Sequence, residues 1–157
     1  MTDTGRPGLD AAFVAMGTKD AALLSVASAL LGSRYVWGSH EVAAAARTTG
    51  GDIVVGLHVE ASQGRASVCA ESGVISAAAV AGAAIASLVA VVQRREGEEF
   101  LIEPCGVCAE LLADYWPDAT VWVGSGDKPV RIRARELLPF RRDRAGRLPP
   151  SLKENTK

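Results

Sequence analysis

Between Asp20 and Arg133 the chain alternates stretches that suit strands with stretches that suit helices, and this alternation limits the fold more than any other feature. Asp20 to Leu31 is an apolar helical stretch. Val42 to Ala46 and Asp52 to Leu57 read as strands across Arg47-Thr48-Thr49-Gly50-Gly51, a hairpin-type turn. After the polar loop Glu60 to Ser67, an alanine-rich helix is expected from Cys69 to about Ala86, followed by a strand from Leu88 to Gln93. Phe100 to Glu103 form a short approach to Cys105, and Cys108 to Tyr115 is helical until Pro117-Asp118 stops it. Thr120 to Val123 and Val130 to Arg133 complete the strands. The pattern predicts an α/β sandwich whose central sheet carries helices on both faces.

The organisation expected is a flexible segment over 1–19, one domain over 20–140, and a charged, mobile tail over 141–157. Hydrophobic residues make up 48% of the chain, enough for one buried core. No stretch approaches the roughly 20 strongly apolar residues of a membrane-spanning helix. The N-terminus has no signal-peptide core, so a cytoplasmic protein is expected. Seventeen basic against eighteen acidic side chains give a net charge of -1, which disfavours nucleic acid as the main partner. The basic residues Lys128, Arg131, Arg133, Arg135, Arg141, Arg142, Arg144 and Arg147 read instead as a solvated edge and tail.

Cys69, Cys105 and Cys108 are the only cysteines. Cys105-Gly106-Val107-Cys108 alone suits a redox pair, and all three thiols suit small buried hydrophobes. A third reading joins Cys69-Ala70-Glu71 to Pro104-Cys105-Gly106-Val107-Cys108, the two halves, in order, of a zinc-deaminase signature with cysteine in place of histidine. Three thiolates fill three corners of a tetrahedral zinc site and leave the fourth for water. Each motif is expected at a helix N-terminus, where free N–H groups favour thiolate.

These motifs resemble the cytidine deaminase superfamily, most closely its small free-nucleoside branch, over roughly Leu23 to Phe140. Gly56-Leu57-His58-Val59-Glu60-Ala61 stands at the family's distance from Cys69-Ala70-Glu71. Val42-Ala43-Ala44-Ala45 is similar to the family's Val-Gly-Ala-Ala strand, and Glu136 to Phe140 to its Leu-Leu-Pro segment. The resemblance implies a three-layer α-β-α sandwich on a mixed five-stranded sheet. It implies zinc on Cys69, Cys105 and Cys108, with Glu71 moving protons during hydrolytic deamination. Backbone at Ala70 and Pro104 would meet the heterocycle. A homo-oligomer, tetramer or dimer, is implied as well.

The departures fall on the substrate side. The family's hydroxyl-binding Asn-x-Glu becomes His58 and Glu60, and the aromatic that stacks on the pyrimidine falls near His40, with Trp37 a second candidate; Trp116 and Trp122 read as core. Ser72 and Ala109-Glu110 stand where positive residues are usual, leaving Arg65 or helix amides to offset the thiolates. The expected activity is deamination of a small aminated heterocycle: cytidine, deoxycytidine or a modified nucleoside. Blasticidin-type deaminases share an ending like Arg135 to Pro139, although the spacing before Cys69 is closer to that of cytidine deaminases. The alternative is a catalytically silent, zinc-stabilised binding protein, against which Glu71 argues.

Overall fold

A computed structural model describes residues 5–95 and 97–142. The chain runs α1 (Leu9–Ala15), α2 (Thr18–Arg34), β1 (Val42–Thr48), β2 (Ile53–Leu57), α3 (Ala70–Val80), β3 (Ile85–Gln93), β4 (Glu99–Leu101), α4 (Gly106–Tyr115), β5 (Thr120–Ser125) and β6 (Lys128–Arg133). Short 3-10 turns cover Gly64–Ala66 and Ala134–Glu136. The main sheet path is β2-β1-β3-β5-β6, mixed because β3 and β5 are parallel while the other pairs are antiparallel. The expected five strands are all present, and β4 adds a sixth by pairing with the end of β3.

Alternation along the central strands divides the core into two layers. Ala44 and Ala46 of β1, with Leu88 and Ala90 of β3, face Val74, Ile75 and Ala78 of α3 and Leu112 of α4. Ala43, Ala45, Val89 and Val91 face Ala12 of α1 and Leu23, Leu24, Ala27 and Leu31 of α2. A strand buried on both faces shows a continuous apolar run, which is how β1 and β3 read in the sequence. Leu23, Leu24 and Leu31 of α2 are fully buried, each contributing about 1.5–3 kcal/mol by removal from water.

Two expectations are corrected. Helix α3 stops at Val80, short of Ala86, because Gly82 turns the chain at φ +63° and the Ala83 N–H bonds back to the Ala78 carbonyl at 3.0 Å. The segment 1–19 is not loose throughout: Ala12 and Met16 are buried, and Pro7 is fully buried. The Pro7 carbonyl accepts the Leu101 N–H at 3.0 Å, so this segment runs beside β4. Arg144 and Arg147, with the rest of 143–157, lie outside the described residues. No described helix is long and apolar enough to cross a membrane.

Candidate metal centre and active site

Helices α3 and α4 begin side by side, and their first turns carry the cysteines. Cys69 is the N-cap of α3, Cys105 that of α4, and Cys108 lies in α4's first turn. The peptide dipoles and unpaired N–H groups at both ends favour negative sulfur. The three Sγ atoms lie within 4.8 Å of one another, Cys69 and Cys105 at 3.5 Å. Tetrahedral zinc with Zn–S bonds near 2.3 Å needs sulfurs about 3.8 Å apart, so this donor set fits the ion. Cys108 is buried and Cys69 partly so, while Cys105 is exposed, which leaves one side open to solvent.

The surroundings split the proton affinities of the three thiols. Burial pushes Cys108 far up, and the Glu71 charge adds to it, against a lowering hydrogen bond from Ser72. Cys69 is raised by burial and by Cys105. Burial also raises Cys105, but hydrogen bonds from the backbone of Cys108, from the other two thiols and from the backbone of Val107 outweigh it and hold Cys105 below the ordinary range. A divalent cation binding here would displace the remaining protons.

Glu71, in the first turn of α3, is only 5% exposed, and its Oε2 lies 3.9 Å from Cys108 Sγ. Burial raises its proton affinity, chiefly, and the Glu103 carboxylate adds to this while the nearby His58 opposes it. A carboxyl in such a place holds a proton more readily than an exposed one.

His58 and Glu60 follow directly from β2. His58 N–H bonds the Val42 carbonyl at 2.8 Å, and Val59 pairs with Val68, the residue before Cys69. The Glu41 N–H reaches His58 Nδ1 at 3.3 Å, so Nε2 carries the ring proton and donates it to Glu60 Oε2 at 2.8 Å. Ser67 donates to Glu60 Oε1 at 2.8 Å; that bond, then His58, holds the Glu60 carboxyl below the usual carboxylate range. His40 Nδ1 donates to the His58 carbonyl at 2.8 Å, which leaves Nε2 as an acceptor. The structure thus ties His40, His58 and Glu60 into one hydrogen-bonded group.

Trp37 is 54% exposed with the Arg95 guanidinium 5.5 Å from its ring centre, so its visible partner is Arg95. Trp122 is buried and Trp116 packs against the core, as expected. Ala70 and Pro104 are both buried beside the cysteines. Arg65 is exposed on its 3-10 turn. Ser67, Glu41 and Arg6 were not anticipated by the sequence reading; Arg6 pairs with Glu103 at 3.2 Å, next to Pro104. No spacing rule links residues so far apart, and only the packed loops bring them together.

Comparisons agree with this geometry. Residues 18–124 match the model of the cytidine and deoxycytidylate deaminase zinc-binding region. A blasticidin-S deaminase from Bacillus cereus is 34% identical over 128 residues, 78% of this chain and 91% of that protein. The crystal structure of a cytidine deaminase from Mycobacterium tuberculosis superposes with a TM-score of 0.65 at 25% identity, over 82% of this chain and 100% of that one. A cytidine deaminase from Bacillus anthracis shares the fold at a TM-score of 0.68 and 22% identity, over 80% of this chain and 89% of that one. With the two cysteine motifs seated on paired helix ends inside the matched region, the chain belongs to the cytidine and deoxycytidylate deaminase zinc-binding family, zinc-dependent hydrolytic deaminases that act on C–N bonds.

Proposed function

We propose that this protein deaminates a small nucleoside-like heterocycle, exchanging a ring C–NH₂ for C=O with release of ammonia. The observation that carries the reading is the buried Glu71 carboxyl set beside three clustered sulfurs. Cys69, Cys105 and Cys108 would hold zinc, which supplies a Lewis acid that makes hydroxide available near neutral pH. Glu71 takes the proton of the attacking water and passes it to the ring nitrogen as the new C–O bond forms. Glu71 then takes the proton of the added hydroxyl and delivers it to the amino group, the C–N bond breaks as C=O forms, and ammonia leaves. Burial raises the proton affinity of Glu71, which helps it hold a proton between taking it up and handing it on.

On the substrate side, Glu60 offers accepting oxygens to hydroxyl groups, and His58 holds that carboxylate in place. His40 presents a ring face and an accepting Nε2, and the backbone at Ala70 and Pro104 meets the edge of the heterocycle. Cytidine, deoxycytidine and a blasticidin-type nucleoside are the first substrates to consider. The same reading places the enzyme in the cytoplasm as a homo-oligomer; exposed Val36, Val59 and Val107 give neighbouring copies apolar surface to cover, and light scattering tests this.

The decisive assay measures ammonia release by zinc-loaded protein across cytidine, deoxycytidine, cytosine, adenosine, guanine and a blasticidin-type nucleoside. Turnover of a pyrimidine member is expected. Glu71→Gln should then lower it by about 10²–10⁴-fold while zinc content stays at the wild-type level. A silent wild-type protein with full zinc, or a fully active Glu71→Gln variant, would overturn the reading.

A further inference from the structure

We propose that Ser72 is a positioning residue of the metal centre, its hydroxyl donating to the Cys108 sulfur and relieving the charge of that thiolate without a cationic side chain. The inference rests on the reading of Cys108 as a zinc ligand. Ser72 Oγ lies 3.3 Å from Cys108 Sγ, each residue in the first turn of its own helix.

The direction in which this hydroxyl points is informative. A helical serine commonly turns its hydroxyl back to a carbonyl in the preceding turn, and two serines of α2 do so: Ser25 to Ala21 at 3.1 Å and Ser33 to Leu30 at 2.8 Å. Ser72 differs from both, because its hydroxyl meets a sulfur 36 residues further along the chain. The hydroxyl instead crosses to the neighbouring helix.

Cys108 is also the sulfur that most needs a donor. Cys105 is exposed to water and receives backbone N–H groups, whereas Cys108 is fully buried and has the Glu71 carboxylate 3.9 Å away. A buried anion without water depends on protein donors for its solvation. Ser72 is a side chain outside the cysteine group whose hydroxyl reaches this sulfur. Outer donors of this type commonly change metal affinity by 10–100-fold.

The test uses the full-length protein loaded with cobalt(II) or zinc, comparing wild type with Ser72→Ala, Ser72→Thr and Ser72→Val. Threonine and valine have the same shape, so their difference isolates the hydroxyl even if the alanine variant folds poorly. Wild type and Ser72→Thr should share one thiolate-to-cobalt charge-transfer band. Ser72→Ala and Ser72→Val should move it to longer wavelength, because an unrelieved thiolate gives up charge more readily. Zinc retention in chelator competition should fall about tenfold in the same two variants. An unmoved band and unchanged zinc retention in Ser72→Val would overturn the proposal. Absence of the band in wild type would overturn it together with the three-thiolate site. A shifted band in a protein that deaminates nothing would uphold Ser72 and remove the deaminase reading alone.

Discussion

Glu60 shows how one residue's chemistry depends on its partners, one two residues before it and one at the far end of the following loop. Its two oxygens accept from His58 and Ser67, and these bonds keep it ionised. Glu60→Gln would keep the shape while weakening both charge-assisted bonds. The expected result is a rise in KM of about tenfold or more with zinc content unchanged, read from steady-state ammonia release on the best substrate. Unchanged KM would remove Glu60 from the substrate side. The cysteines and Glu71 were legible at this scale because each motif is local and its spacing follows one helix turn. The His58 proton was not legible: the Glu41 amide that fixes it belongs to the residue before β1, which only strand pairing brings beside the end of β2.

At the scale of elements, Gly56 joins β2 to the start of α3. A Cβ there would lie 2.1 Å from the Ala70 carbonyl oxygen and 2.8 Å from the Val74 nitrogen, both rigid helix backbone. Gly56→Ala should therefore cost roughly 3 kcal/mol and displace the turn that carries Glu71, lowering both urea midpoint and turnover. A second joint anchors α2 to the sheet. Asp20 accepts from Trp122 at 2.9 Å and Ser87 at 3.0 Å, and pairs with Arg47. Burial raises its proton affinity, but those three partners outweigh it and hold the carboxyl below its ordinary range. The contribution is then fully present above the unfolded carboxyl's pKa, near 3.9, and is lost as pH falls through the lower folded value. Asp20→Asn should cost about 1–3 kcal/mol at pH 7 and flatten the loss of stability seen in wild type below about pH 4, measured by urea unfolding across pH. The ends of α3 were legible only in part, since an alanine run contains no marker that separates helix from the following buried strand. Gly82 was the stop signal, and Gly73 within the helix gave no such stop.

For the whole molecule, the metal is expected to be a structural clasp between α3 and α4 as well as a reagent. Zinc at a hundredfold excess over its dissociation constant stabilises the fold by about 2.7 kcal/mol. Chelation should therefore lower the melting temperature by roughly 5–10 °C, reversibly on adding zinc back, as followed by scanning calorimetry. An unchanged melting temperature would mean that the cysteines do not hold the ion in the folded protein. The N-terminal segment also belongs to the whole molecule. Pro7 is packed so closely that a Cβ on Gly124 would meet its ring at 2.6 Å, and Arg6 is thereby brought to Glu103.

What the sequence by itself determined was whatever is periodic or local: the α/β layering, the strand set along the main sheet path, the helix ends beneath the cysteines, and the two cysteine motifs with Glu71 in the first. These follow from short-range pattern and from the chemistry of single residues, so they survive without coordinates. Only the tertiary structure decided the partners across the site, including Ser72 with Cys108, Glu41 with His58 and Arg6 with Glu103. It also decided that part of the first nineteen residues packs. Such contacts depend on where separate elements come to rest, which is set by the fit of two core layers against one sheet and leaves no fixed spacing in the chain.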